Sequence, residues 1–278
     1  MNVTLVLPVN PFKHLLLAVL VLVALNAKAQ LLDTLIDAGP YKLHFKILKG
    51  RNPPILFESG GGMDASQWDS IATTVHRQLQ ATVITYDRAG FGKSSLDTTN
   101  YNILQEVKSL EAALEYLGYH DANFLVVGHS LGGFYNRVFA ARHSKQVKGI
   151  IFLDPRIPSD EDRKFARNYF QTLRRKDFEP GYMSLYYLLA NMEQMSDYVR
   201  QVPLPPSIPI LNIMAEAGPF TEANENERFK TEQRNLVKAH RNRTLLVAKG
   251  SSHNIPYDKP GLVIEQIIDF YGRYLMKN

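Results

Sequence analysis

The chain reads as an α/β protein, a mostly parallel sheet with helices on both faces, and three observations lead there. Short apolar runs alternate with segments of helical periodicity along most of its length. Most of those runs are continuously apolar, as strands buried on both faces must be. One of them, Phe124 to Val127, enters the turn Gly128-His129-Ser130-Leu131-Gly132-Gly133, after which the pattern becomes helical from Phe134 to Arg142.

The elements follow in order. Lys13 and His14 precede the apolar run Leu15 to Leu25, which ends in Ala27-Lys28-Ala29, an A-x-A cleavage pattern. Residues 1–29 are therefore expected to be a signal peptide, cut before Gln30, with export to a periplasm or the medium. The run falls well short of the roughly 20 residues that span a bilayer, and no cysteine stands at the cut for a lipid. No stable membrane anchor is expected after cleavage. Residues 30–278 are long enough for one α/β domain.

Leu31 to Asp37 and Tyr41 to Leu48 alternate apolar and polar residues around Ala38-Gly39-Pro40, the pattern of an amino-terminal hairpin at the sheet edge. Strand Ile55 to Phe57 precedes helix Trp68 to Leu79, and strand Val83 to Tyr86 precedes helix Ile103 to Leu117. Strands Val147 to Leu153, Ile210 to Met214 and Leu245 to Val247 follow the glycine turn, with helices Phe229 to Ala239 and Val263 to Leu275. Residues 155–208 break this rhythm. They carry two helical patterns, Arg163 to Arg175 and Tyr182 to Val199, closed by Pro203, Pro205, Pro206 and Pro209. An insertion after a strand sits over the carboxyl ends of such a sheet, so this segment is expected to be a helical lid.

Composition narrows the chemistry. With no cysteine, a disulfide framework, a thiolate nucleophile and a sulfur-based zinc site are excluded. The net charge of +5 drops when the leader takes Lys13 and Lys28 with it. The basic residues from Arg163 to Lys176 are interleaved with Asp160, Glu161, Asp162 and Asp177, which describes a solvated helix face and not a nucleic-acid surface.

The glycine turn is where chemistry is expected. A strand that turns sharply into a helix through Gly-x-Ser-x-Gly thrusts the serine hydroxyl out at the sheet end, making Ser130 the candidate nucleophile. A serine hydroxyl needs a base. Of the eight histidines only His253 follows a late strand through a small-residue turn, Lys249-Gly250-Ser251-Ser252, and precedes a final helix. His129, inside the turn, is expected to be a packing residue. An oxyanion needs preorganised N–H donors. The amide of Leu131 is one candidate, and Gly61, with Gly62 as alternative, is the other, from Glu58-Ser59-Gly60-Gly61-Gly62-Met63. Gly92-Lys93-Ser94 imitates a phosphate loop, but Asp87 stands where its first glycine belongs and no helix follows Ser94. Asp87 and Arg88 are expected to fix the shape of that loop.

Together these segments resemble the α/β-hydrolase superfamily, its lidded serine esterases and lipases in particular, over nearly all of residues 30–278. Asp87 to Gly92 look like its loop after the fourth strand, Gly128 to Gly132 its elbow, and Gly250 to Asn254 with Pro260 to Ile264 its histidine loop and last helix. Two features depart from the pattern. Ser59-Gly60 replaces the usual His-Gly, and Ala215-Glu216-Ala217-Gly218 has no aspartate where the acid after the seventh strand would stand. The resemblance then implies Asp154, in Phe152-Leu153-Asp154-Pro155, as the triad acid, as in some lipases. Glu216 is the alternative, and other acids such as Glu222 remain behind it.

The resemblance implies hydrolysis of a small-molecule ester through an acyl-enzyme, with no metal or organic cofactor. A peptidase or lactonase would use the same residues, and a non-catalytic small-molecule-binding protein would use the same fold. Epoxide hydrolases and haloalkane dehalogenases would place aspartate at the elbow, which Ser130 argues against. In the lid, Tyr182, Tyr186 and Tyr187 are candidate substrate contacts, although an apolar stripe at helical spacing also serves to pack a lid onto its body. Activity that needs the free base of His253 is expected to rise as the imidazole loses its proton.

Overall fold

The computed structural model describes residues 31–99 and 101–276, so the expected leader lies outside the described residues. One sheet of eight strands runs through them: β1 (Leu31–Asp37), β2 (Lys42–Leu48), β3 (Asn52–Glu58), β4 (Ala81–Tyr86), β5 (Phe124–His129), β6 (Val147–Leu153), β7 (Ile210–Ala215) and β8 (Arg243–Ala248). Their order across the sheet is β1-β2-β4-β3-β5-β6-β7-β8. The β1–β2 hairpin joins antiparallel to β4, and every other neighbouring pair is parallel. This is the α/β-hydrolase fold. The hairpin is at the edge as expected, with β1 outermost and β2 paired on both sides. β3 begins earlier than its apolar run because Pro53 and Pro54 extend it with a register shift between Asn52 and Ile55, where prolines offer no ladder N–H.

The continuous apolar strands divide by the period of two. In β5, Val126 faces one layer while Leu125 and Val127 face the other; Leu56 and Ile55 split in β3, and Ile150 and Ile151 in β6. One layer is closed by α1 (Asp69–Leu79) and the last helix, α7 (Pro260–Tyr274), through Ile71, Val75, Val263 and Ile267. The other is closed by α2 (Ile103–Tyr116) and α3 (Gly132–Arg142) through Val107, Leu110, Phe134 and Val138. Between β7 and β8 lies α6 (Ala223–Lys238).

The insertion between β6 and β7 consists of α4 (Asp160–Gln171), short 3-10 turns and α5 (Met183–Gln201). Helix α4 starts before the expected Arg163 because Ser159 Oγ accepts from the Asp162 amide and three acids fill the first turn, where the helix dipole favours them. Helix α5 buries Leu188, Met192, Met195 and Val199 into the layer beneath it. Among the described residues no helix is long and apolar enough to cross a membrane.

Candidate active site

The turn after β5 holds Ser130 in the left-handed region at φ +52°. A side chain in that region costs energy, which the surrounding contacts must supply. The Ser130 amide donates to the Leu153 carbonyl at 3.0 Å, and its carbonyl accepts from Gly133 and Arg156, each at 3.0 Å. The flanking glycines are sterically required. A Cβ at Gly128 would lie 2.3 Å from Asn136 Nδ2, and one at Gly132 would lie 2.6 Å from the Glu58 carbonyl oxygen.

Three loops at the carboxyl ends of β5, β6 and β8 bring the candidate triad together. Ser130 Oγ lies 2.9 Å from His253 Nε2, and His253 Nδ1 lies 2.7 Å from Asp154 Oδ2. A carboxylate only accepts, so the proton sits on Nδ1 and leaves Nε2 free to take the serine proton. Asp154 is buried, and its other oxygen accepts from the Ala215 amide at 3.0 Å and Gln233 Nε2 at 2.8 Å. These donors fix the direction of its carboxyl group. Like Ser130, Asp154 is in the left-handed region, at φ +42°. Glu216, the competing acid, faces elsewhere: its Oε2 accepts from the Gly250 amide at 2.6 Å and so shapes the loop that leads to His253.

The glycine loop after β3 lies against the elbow. A Cβ at Gly61 would be 3.5 Å from Leu131 Cδ2, so the two expected oxyanion amides belong to neighbouring residues. Gly60 donates to Gln67 Oε1 at 2.8 Å, and no acceptor among the described residues takes the Gly61 or Leu131 amide. Gly62 has φ +77° and faces Leu185. From the insertion it is Leu185 and Leu188 that approach this loop, a Cβ at Gly61 being 3.8 Å from Leu188. Ser184 Oγ donates to the Gly90 carbonyl beside them. The three tyrosines lie otherwise. Tyr182 is exposed; Tyr186 packs on Phe170 and Phe178 at 5.6 and 5.4 Å, and Tyr187 edges onto Tyr186 at 5.6 Å.

His129 is more than packing, which corrects the expectation from sequence. Its Nδ1 lies 2.8 Å from Gln67 Nε2, its Nε2 lies 2.9 Å from the His253 carbonyl oxygen, and its ring lies 4.8 Å from that of His253. Burial, and then His253 beside it, push its pKa down to about 3, so the ring stays neutral. Asp87 fixes its own loop as expected, whereas the hydrogen bonds of the Arg88 side chain go to the glycine loop after β3. Asp87 accepts from the Ala65 and Lys93 amides, each at 2.8 Å, and is 2.7 Å from His44 Nδ1. Arg88 donates to the Ser59 and Gly60 carbonyls.

Gln67 and Gln233 were not visible as site residues. The one available signal for Gln233 is its position four after Phe229, a polar residue on the buried face of α6. For Gln67 there was none. A cleft of about 700 Å³ opens between α4 and the loop after β7, lined by Phe165, Tyr169 and Phe220 with Arg156, Arg228 and Glu222. Arg156 and Arg228 each lie 5.6 Å from the Phe165 ring. Among the described residues no group of three or more acidic or histidine side chains is placed to hold a metal.

Residues 53–239, about two thirds of the chain, match the family model for the alpha/beta hydrolase fold, so the chain belongs to that family. The protein YqjL of Bacillus subtilis is 25% identical over 221 residues, covering 78% of this chain and 83% of that one. Among solved structures, a thermophilic esterase from Thermogutta terrifontis superposes with TM-score 0.63 at 18% identity, covering 88% of this chain and 99% of its own. An epoxide hydrolase mutant from Vigna radiata gives TM-score 0.73 at 14% identity, covering 89% and 100%. At these identities the two structures show a shared fold.

Proposed function

We propose that this member of the α/β-hydrolase family is an exported serine hydrolase that cleaves carboxylic esters through an acyl-enzyme. The observation that carries the reading is the unbroken line from Ser130 Oγ through His253 to Asp154, at 2.9 and 2.7 Å. Ser130 attacks the ester carbonyl while His253 Nε2 takes its proton. Asp154 stabilises the resulting imidazolium, and the amides of Leu131 and Gly61 receive the oxyanion. His253 then protonates the departing alcohol, and water repeats the sequence on the acyl-enzyme. Serine at the elbow supports this path over the alkyl-enzyme route of an epoxide hydrolase, which uses aspartate there.

Leu185 and Leu188 above the glycine loop support an apolar acyl group beside the oxyanion position. The apolar leader before Ala27-Lys28-Ala29 supports export. The test is hydrolysis of p-nitrophenyl esters from acetate to palmitate by the chain from Gln30, beside Ser130→Ala. Turnover is expected to fall by about 10⁴-fold or more in the variant. Equal rates in the two proteins, or no turnover of any ester, would overturn the reading.

A further inference from the structure

We propose that Arg88, Gln67 and His129 are positioning residues, forming a buried brace that aims the Gly61 amide and holds it in register with the base His253. The inference rests on the acyl-enzyme reading and adds to it a set of residues that act through the backbone of the glycine loop and of His253.

The argument begins with the peptide unit. The carbonyl of one residue and the N–H of the next share a plane and point opposite ways in a trans peptide. The described residues contain no cis peptide bond. Arg88 Nη2 donates to the Gly60 carbonyl at 2.5 Å, which fixes where the Gly61 N–H points. Arg88 Nη1 donates to the Ser59 carbonyl and so fixes the Gly60 N–H, which goes to Gln67 Oε1 at 2.8 Å. A cation on the Gly60 carbonyl also polarises that peptide and strengthens its N–H as a donor. Burying a guanidinium is costly. Arg88 is 2% exposed, its guanidinium lies 4.8 Å from the Tyr135 ring, and its charge partner Glu58 is 3.7 Å away. Its short contacts are the two carbonyls of the glycine loop.

The second arm runs from that loop to the base, and each proton on it is forced by the next. The His253 carbonyl only accepts, so His129 donates to it from Nε2. A neutral ring then accepts at Nδ1, so Gln67 presents its NH₂ there and its oxygen to Gly60. Burial, which keeps His129 uncharged, makes this arrangement insensitive to ordinary changes of pH. One glutamine and one histidine thus join the glycine loop to the histidine loop, residues 60 and 253.

The experiment compares wild type with Arg88→Met, Arg88→Lys and Gln67→Leu by kcat and KM on the best p-nitrophenyl ester. It adds affinity for an alkyl trifluoromethyl ketone, which forms the oxyanion, and the ¹⁵N spectrum of His129. Arg88→Met is expected to lose about 10²–10³-fold in kcat with KM changed less than about threefold, and ketone affinity should fall in parallel. Arg88→Lys should recover at least about tenfold of that loss, since it restores the cation and one donor. Wild-type His129 should show the Nε2–H form throughout pH 5 to 8. A folded Arg88→Met with wild-type kcat, a loss confined to KM, or Arg88→Lys no better than Arg88→Met would overturn the proposal. If Arg88→Met does not fold, Gln67→Leu decides: its kcat should fall about tenfold with KM held, and an unchanged kcat would overturn the brace. If no ester is turned over, the acyl-enzyme reading fails on its own, and the His129 spectrum alone still decides the brace. An Nδ1–H form, or titration between pH 5 and 8, would overturn it.

Discussion

Asp154 in the body and Leu188 in the helical insertion are both buried, yet they are held in different ways. Asp154 is fixed by three directional donors, His253, Gln233 and the Ala215 amide, at 2.7, 2.8 and 3.0 Å. Leu188 sits against the glycine loop by apolar contact, on an insertion whose first helix buries only Asp162 and Ala166. Hydrogen bonds weaken steeply with angle, so the body side admits one geometry. Apolar contact is non-directional and tolerates a different fill at similar volume. The proposed function accordingly assigns chemistry to the body and substrate size to the insertion, and the two are expected to respond differently to substitution.

The sharpest test of that contrast is Asp154→Asn. The amide can present NH₂ to His253 Nδ1 and force the wrong tautomer, so kcat is expected to fall about 10⁴-fold while the protein stays folded. Glu216→Gln, which affects only the loop contact with Gly250, should change kcat by less than about threefold. The opposite ranking in steady-state assays would return the acid's role to Glu216. On the insertion side, Leu188→Ala should cost about 2–5 kcal/mol in urea unfolding. It should also raise turnover of longer acyl esters relative to acetate. An unaltered chain-length profile would remove Leu188 from the acyl side and break the division of labour.

The smallest effect concerns the body's own buried charges. Burial pushes Glu58 and Glu106 up to about 7 from their ordinary 4.5, against the pull of Arg88 beside Glu58 and the hydrogen bond from Tyr135 to Glu106. Raised acids contribute stability that is fully present below 4.5 and lost as pH rises through 7. His129 has the opposite sign: pushed down to about 3 from 6.5, it contributes stability above 6.5 that is lost as pH falls towards 3. Glu106→Gln removes one of the two raised carboxyls. The fall of the urea midpoint from pH 5 to pH 8 should be shallower in the variant than in wild type. Parallel profiles would mean that Glu106 keeps its proton balance on folding.

The outline of the site was legible because its signals are local. A strand, five residues of elbow and a helix specify where Ser130 stands, although the atoms that require Gly128 and Gly132 lie on the following helix, at Asn136, and at the end of β3, at Glu58. His253 was legible for a similar reason, from a small-residue loop after a strand. Leu131 and Gly61 followed from their loops as candidates, and the structure places them side by side. What the tyrosines of the insertion pack on was not legible, because helical periodicity marks a packed face without saying what it packs on. Tyr186 spends that face on Phe170 and Phe178, while Leu185 and Leu188, on the same helix, reach the glycine loop.

The sequence by itself determined the alternation of strands and helices, the elbow serine, the histidine loop and the place of the insertion, all of which are written in the local pattern of contiguous segments. Only the tertiary structure shows which carboxylate, Asp154 or Glu216, meets His253, because that depends on which strand ends stand side by side: β6 next to β7, and β7 next to β8. The same holds for the link from Gln67 through His129 to His253, and for Arg88 on the glycine loop. Their partners come from separate segments, and a hydrogen bond between distant segments leaves no periodicity in the chain. It exists once the sheet order has brought the donor and the acceptor within 3 Å of each other.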